Sequence, residues 1–171
     1  MQALIRNIRE EVILRICDES IQRILKCLSK LTEDQIQYRS NNNTNAVNNL
    51  ILHLEGNVRQ WLIASLKEEP FERNRPEEFN PQNQLNTEEL TQVLLNLEKD
   101  VRNACEDLTV SYLLAQFSIQ GFTESGYSIC SHVVEHFSYH TGQITLITKQ
   151  LTDQDMAYYG SLNLNIQNQQ A

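Results

Sequence analysis

Apolar residues recur at three- and four-residue steps along four long stretches of the chain, and this spacing predicts four amphipathic α-helices. The first stretch begins near residue 5, and the second covers roughly residues 45 to 68. The third follows Asn86, and the fourth runs from about residue 127 to about residue 151. In the first stretch the apolar positions are Ile8, Val12, Ile16, Ile24, Cys27 and Leu31.

Two short polar motifs indicate where helices begin. Thr32 with Gln35, and Asn86 with Glu89, have the spacing of a capping box, in which each side chain bonds the backbone amide of the other residue. The polar run at 40–45 is a loop, and its last members are expected to cap the second helix.

The connection between the second and third helices is unusually long. All three prolines of the chain, Pro70, Pro76 and Pro81, lie within residues 68–86. Proline interrupts a helix, and this segment is too polar to form part of a core, so we predict a long crossover.

These elements predict an all-α fold, a four-helix bundle with a long crossover between helices 2 and 3. We expect one domain over residues 1–171, with a core at about 5–152. The piece at 109–125 is less regular, and we expect the tail at 163–171 to be frayed.

Composition and charge narrow the class of protein. The chain has 14 Lys and Arg against 22 Asp and Glu, a formal charge of −8, which argues against a nucleic-acid partner. No apolar run approaches the ~20 residues of a membrane span, and the N-terminal segment is too charged for a signal peptide. The four cysteines, which are scattered, predict reduced and mostly buried thiols and a cytoplasmic location. They are Cys17, Cys27, Cys105 and Cys130.

The histidines are the most informative feature of the sequence. His132, His136 and His140 repeat every four residues, so they share one side of the fourth helix. His136 and His140 fall within its apolar arc, whereas His132 falls at the edge and is interpreted as a partly exposed or supporting group. Two imidazoles that point into a bundle core need partners for their nitrogens, and a divalent metal ion would satisfy them.

His53 lies on the second helix, at the margin of its apolar stripe. A third imidazole from a facing helix would complete a three-nitrogen site with open positions for water or substrate. The alternative reading is that these histidines are hydrogen-bonded core or boundary residues. The motif argues against a zinc protease, because Phe137 stands where such an enzyme carries Glu after the first His.

At these residues the chain resembles the DinB-like superfamily of metal-binding four-helix bundles, and within it a branch of bacterial proteins. The motifs that carry the resemblance are LILHLEGNVRQW at 50–61 and HVVEHFSYHTGQI at 132–144. The resemblance implies that His53, His136 and His140 bind one divalent ion, nickel or zinc. One position departs from the family pattern, because Thr141 replaces the Arg that commonly follows the last histidine.

The resemblance also implies an activity, a metal-dependent thiol S-transferase that uses a low-molecular-weight thiol, or a related hydrolase. Metal coordination would hold such a thiol as the nucleophilic thiolate. The alternative is a non-catalytic metal-binding or structural protein of the stress response, and a homodimer is expected under either reading. Candidates for contacts with substrate or with the metal ligands are Glu55, Asn57, Tyr139 and Gln143.

Overall fold

The structure, a computed structural model, describes residues 2–167, and this part of the chain is mostly helical. In chain order its elements are α1 (Gln2–Ile13, Leu14–Ile21 and Gln22–Leu28), α2 (Glu33–Gln37), α3 (Val47–Val58, Arg59–Ile63 and Ala64–Lys67), α4 (Arg75–Glu78), α5 (Thr87–Cys105), α6 (Val110–Leu114), β1 (Gln116–Ile119), β2 (Phe122–Ser125) and α7 (Gly126–Thr152). The middle segments of α1 and α3 are π-helical, and each continues directly into α-helix on both sides.

The four long helices α1, α3, α5 and α7 enclose the core. Both α1 and α3 pack against α5 and against α7. Each of the four contributes side chains that are fully buried, among them Ile16, Ile51, Leu94 and Phe137. The π-helical segment of α1 has a wider turn, and Ile21, which was not among the predicted apolar positions, joins Ile16 and Ile24 in the core.

Helix starts were predicted correctly at two of three sites. The capping boxes of Thr32 with Gln35 and of Asn86 with Glu89 are both present. The prediction that the 40–45 loop caps α3 was wrong, because Ala46 precedes the helix and no side chain caps it. Thr44 instead bonds to Asn41 within the loop itself.

A β-hairpin, β1 and β2, occupies most of the segment at 109–125, which was predicted only as less regular. The all-α prediction broadly fits the rest of the described chain, and the hairpin is a small exception to it. The strands are antiparallel, with Ile119 opposite Phe122. Gln120 and Gly121 form the turn, with φ angles of 52° and 83°. Positive φ at both central residues suits the right-handed twist of a two-residue hairpin, and glycine adopts it without strain.

The crossover at 68–86 contains only the short helix α4, in agreement with the prediction, but it is not uniformly a surface loop. Glu78 is buried. Two buried amides of α3 hold the segment in place, since Asn49 Nδ2 donates to the Glu78 carbonyl at 2.9 Å and Asn48 Nδ2 donates to the Asn83 carbonyl at 2.7 Å. The crossover therefore packs as a fixed layer over α3.

The core extends beyond the predicted limit at residue 152. The last helix ends at Thr152, but Met156 is buried and the Tyr158 hydroxyl lies 2.8 Å from the Thr145 hydroxyl. Of the predicted frayed tail, residues 163–167 form neither helix nor strand, and residues 168–171 lie outside the described part. No helix within residues 2–167 has the length and apolar character needed to cross a bilayer.

All four cysteines are buried and free, as predicted. Burial raises the pKa of Cys17, Cys105 and Cys130 to about 12. A pH of 8 is about four units below the pKa of each of these thiols, so only about one molecule in 10,000 carries the reactive thiolate at a given position.

We therefore expect the native protein to resist alkylation at these three positions. With iodoacetamide at pH 8, modification should be at least about 1,000-fold slower than in denaturant, where an ordinary cysteine is about one quarter thiolate. Peptide mass spectrometry after timed quenching measures each site separately. Native rates equal to the denatured rates would contradict the burial of these thiols.

Candidate metal centre

Three histidines from two helices meet at one point of the structure. One ring nitrogen each of His53, His136 and His140 lies within 4.8 Å of the corresponding nitrogens of the other two. The closest pair is Nε2 of His53 and Nε2 of His136, which are 3.2 Å apart. The ring of His140 lies 5.1 Å from that of His53 and 4.6 Å from that of His136, between centroids.

The packing of α3 against α7 produces this arrangement. His136 and His140 are one turn apart on α7 and are half-buried, while His53 is buried on the facing side of α3. Both helices carry apolar residues on either side of these positions, so burial of the helix faces brings the imidazoles together. The three histidines singled out in the sequence are thus neighbours in the fold.

Hydrogen bonds leave the Nε2 atoms of two rings free to bind a ligand. Nδ1 of His53 lies 2.9 Å from Oε2 of Glu78, and Nδ1 of His140 lies 2.7 Å from Oε1 of Gln143. Both oxygens accept hydrogen bonds, which favours a proton on each Nδ1 and a lone pair on each Nε2. At His53 the carboxylate contact is shorter than the 3.1 Å between Nδ1 and Arg73 Nη2. Nδ1 of His136 is buried without a hydrogen-bond partner among the described residues.

The environment keeps the α7 imidazoles neutral. Burial, together with the neighbouring histidines, lowers the pKa of His136 to about 3. Burial also lowers the pKa of His140, with a smaller contribution from His53. A metal ion binds the neutral ring through its lone pair, so these two rings hold the form that ligation requires at neutral pH.

The spacing of the rings fits a small divalent ion. Two nitrogens that each lie 2.0–2.1 Å from one tetrahedral zinc ion are about 3.3–3.4 Å apart, close to the 3.2 Å between His53 and His136. An all-nitrogen set suits zinc, nickel and copper rather than magnesium or calcium, which prefer oxygen. The donor set and its spacing therefore agree with a transition-metal site.

A cavity of about 490 Å³ opens beside His53 and His136. The π-helical segment of α3 places Trp61 in its wall, where the indole Nε1 donates to Oε1 of Gln120 in the hairpin turn at 2.8 Å. The indole also stacks on His132, at 4.1 Å between ring centroids. The lining further includes Asn57, Arg73, Arg75, Phe122, Glu124, Ser128, Ser131 and Glu135.

The four other candidate residues differ in how they relate to the histidine cluster. Gln143 bonds His140, and Asn57 lines the cavity with its Oδ1 buried and without a partner among the described residues. Tyr139 is exposed and meets His140 edge to face, at 5.0 Å between centroids. Glu55 instead forms an ion pair with Arg59 and does not line the cavity.

His132 and Thr141 occupy different environments from the three clustered rings. His132 is half-buried, stacks on Trp61, and lies outside the group of converging nitrogens, as its place at the edge of the apolar arc suggested. Thr141 is buried, and its hydroxyl donates to the Phe137 carbonyl at 2.8 Å. Position 141 therefore serves helix packing in this chain.

Arg73 and Glu78 were missed by the sequence analysis. Both belong to the crossover, where charged residues normally face solvent, yet both contact His53. One signal was present in the sequence, the glycine at position 56, one turn after His53. Glycine costs a helix about 1 kcal/mol, so its presence inside a helix suggests close approach of another segment.

The chain matches the family described as "Protein of unknown function (DUF1572)" over residues 8–163. Since this match spans nearly the whole chain, the protein belongs to that family. No curated protein and no solved structure matches it.

Proposed function

We propose that this protein is a DinB-like four-helix bundle that binds one divalent metal ion, nickel or zinc, through His53, His136 and His140. The observation that carries the proposal is the convergence of three ring nitrogens within 4.8 Å of one another. The packing of α1 and α3 against both α5 and α7 supports the bundle, since this is the contact pattern of four helices around one core.

The hydrogen bonding of the cluster favours a metal site over histidines that merely fill space. A buried polar group normally has a hydrogen-bond partner, because leaving it without one costs about 1–3 kcal/mol. Nε2 of His136 lies 3.2 Å from Nε2 of His53. Two neutral imidazoles whose lone pairs face each other need a proton or a cation between them, and a metal ion at the centre would supply it.

The cavity favours a catalytic type of site. Three protein nitrogens leave a tetrahedral ion at least one open position, and the cavity of about 490 Å³ reaches His53 and His136. Its remaining wall is mixed in character, with the apolar faces of Trp61 and Phe122, the cation of Arg75 and the carboxylates of Glu124 and Glu135. We propose that an organic substrate with an apolar part and a polar part binds here.

The reaction we propose is thiol S-transfer with a low-molecular-weight thiol, or a related hydrolysis. When bound, the ion would stabilise a thiolate or a hydroxide at neutral pH. The chain's own residues would position the substrate, with Arg75 facing an anionic group and Asn57 Oδ1 accepting a hydrogen bond. The thiol cofactor, the homodimer and the cytoplasmic location stay predictions.

Metal content of the purified protein tests the proposal. We expect the wild type to hold one nickel or zinc ion per chain by mass spectrometry of the metal, and the His136→Ala and His140→Ala variants to lose most of it. His132→Ala is the matched control, because it removes a neighbouring imidazole of the same helix that lies outside the cluster. We expect this control to keep the ion.

Equal metal content in all four proteins would overturn the metal site. For the reaction, the loaded wild type is mixed with glutathione, bacillithiol or mycothiol and a model electrophile, and thiol consumption is followed against His136→Ala. Consumption at the same rate in both proteins would overturn the transferase, while leaving metal binding in place.

A further inference from the structure

A buried ion pair from the crossover lies directly behind His53. The side chains of Arg73 and Glu78 are only 4% and 9% exposed, although neighbouring residues of the crossover face solvent. Arg73 donates from Nε to Oε1 of Glu78 at 2.5 Å and from Nη2 to Oε2 at 2.8 Å. Burial of two charges carries a desolvation cost, so an ion pair of this kind contributes little to stability by itself.

The carboxylate of Glu78 is held in one position relative to His53. Arg73 Nη2 also donates to the His53 carbonyl at 3.3 Å, and the Glu78 carbonyl accepts from Asn49. Gly56 leaves the space that this arrangement needs, because a Cβ at that position would overlap Oε1 of Glu78. Any side chain at position 56 would therefore push the carboxylate away.

The contact between Glu78 and His53 determines which nitrogen of His53 carries the proton. Both oxygens of Glu78 accept hydrogen bonds from Arg73, and Oε2 also lies 2.9 Å from Nδ1 of His53. Arg73 Nη2 lies 3.1 Å from the same Nδ1, so the shorter contact, with the carboxylate, favours a proton on Nδ1 that is donated to Glu78. The lone pair is then on Nε2, which faces His136. A carboxylate behind a histidine ligand also makes the ring a better electron donor.

We propose that Glu78 is the positioning residue of the metal centre: it fixes His53 as the Nδ1–H tautomer and thereby sets the affinity of the site for a divalent ion. Arg73 and Gly56 hold the carboxylate in place. This inference rests on the proposed metal site, and it assigns a function to the crossover, which supplies the support for the ligand on α3.

Zinc affinity measured by competition with a chromophoric chelator tests the inference. Glu78→Gln should weaken binding by about 10–100-fold, the usual effect of removing a carboxylate behind a ligating histidine. Glu77→Gln is the matched control, because Glu77 is the exposed neighbour on the same short helix. The zinc affinity of this variant should stay within about twofold of the wild-type value.

Gly56→Ala is a second variant, which keeps Glu78 but displaces its carboxylate. This variant should also bind zinc more weakly than the wild type. Gly142→Ala is its control, because a Cβ on that helical glycine meets nothing within 4 Å. The Gly56 variant keeps the inference testable if Glu78→Gln folds poorly, and far-ultraviolet circular dichroism reports folding for all four variants.

Long-range ¹H–¹⁵N NMR of the metal-free wild type measures the tautomer of His53 directly. A purely structural role of Glu78 would leave this tautomer unchanged. We expect His53 to be the Nδ1–H tautomer in the wild type and a mixture of tautomers in Gly56→Ala. A wild type with Nε2–H at His53, or variants that bind zinc as tightly as the wild type, would overturn the role of Glu78. A wild type that binds no metal would instead overturn the proposed function.

Discussion

Zinc or nickel ions should raise the free energy of unfolding of the wild-type protein by about 4 kcal/mol when the free ion concentration is roughly 1,000-fold above the Kd. The effect would follow from the positions of the proposed ligands. His53 and His136 come from two helices that are adjacent only in the folded chain, so at the proposed site the native state would bind the ion and the unfolded chain would not. Urea denaturation with and without the ion, followed at 222 nm, measures the difference.

The His136→Ala variant supplies the control for this linkage. Because it keeps His53 and His140 but lacks the nitrogen closest to His53, the same ion should change its stability by no more than about 0.5 kcal/mol. Magnesium should not stabilise either protein, because it prefers oxygen ligands. Equal stabilisation of wild type and variant by zinc would show that the ion binds elsewhere.

Replacement of Phe137 by Ala should lower the free energy of unfolding of the metal-free protein by about 3–5 kcal/mol. Phe137 is fully buried, and it is one of the largest side chains in the core. It lies on α7 next to His136, but its ring points into the core. Truncation therefore leaves a cavity between the packed helices, and part of the cost comes from that empty volume.

Leu146→Ala is the matched control for Phe137→Ala, because it truncates a large apolar side chain of the same helix that is exposed. Its stability should change by about 0.5 kcal/mol or less. Chemical denaturation of both variants gives the comparison. A loss below about 1 kcal/mol for Phe137→Ala would contradict tight packing of α7 against the core.

Much of the helical fold could be predicted, because burial of one helix face requires apolar residues at three- and four-residue steps, and these steps are visible in the sequence. The bounds of α5 and α7 agree with the prediction to within a few residues, and Asn86 with Glu89 marks the start of α5. The hairpin at 116–125 was missed because its strands are four residues each, too short for an alternating pattern to stand out. Its turn depends on positive φ at Gln120, a residue that seldom adopts it.

Helical periodicity predicted only part of the candidate site, and the family resemblance added His53. His136 and His140 are four residues apart on one helix, so their proximity follows from helix geometry alone. Glu78 and Arg73 are separated from His53 by 20 to 25 residues and a segment rich in proline. No local rule brings those side chains to that ring, and a charged crossover normally predicts a solvated loop.

The amino-acid sequence by itself predicted the four long helices, the free cysteines and the His136–His140 pair from local spacing and residue type, and it predicted His53 from the family resemblance. Only the tertiary structure showed which side chains contact those histidines and where the cavity lies. The physical reason is that the packing of the crossover on α3 depends on long-range contacts. Gly56, Asn48 and Asn49 allow this packing, but their positions in the sequence do not predict it. The carboxylate that supports His53 is therefore a property of the folded chain.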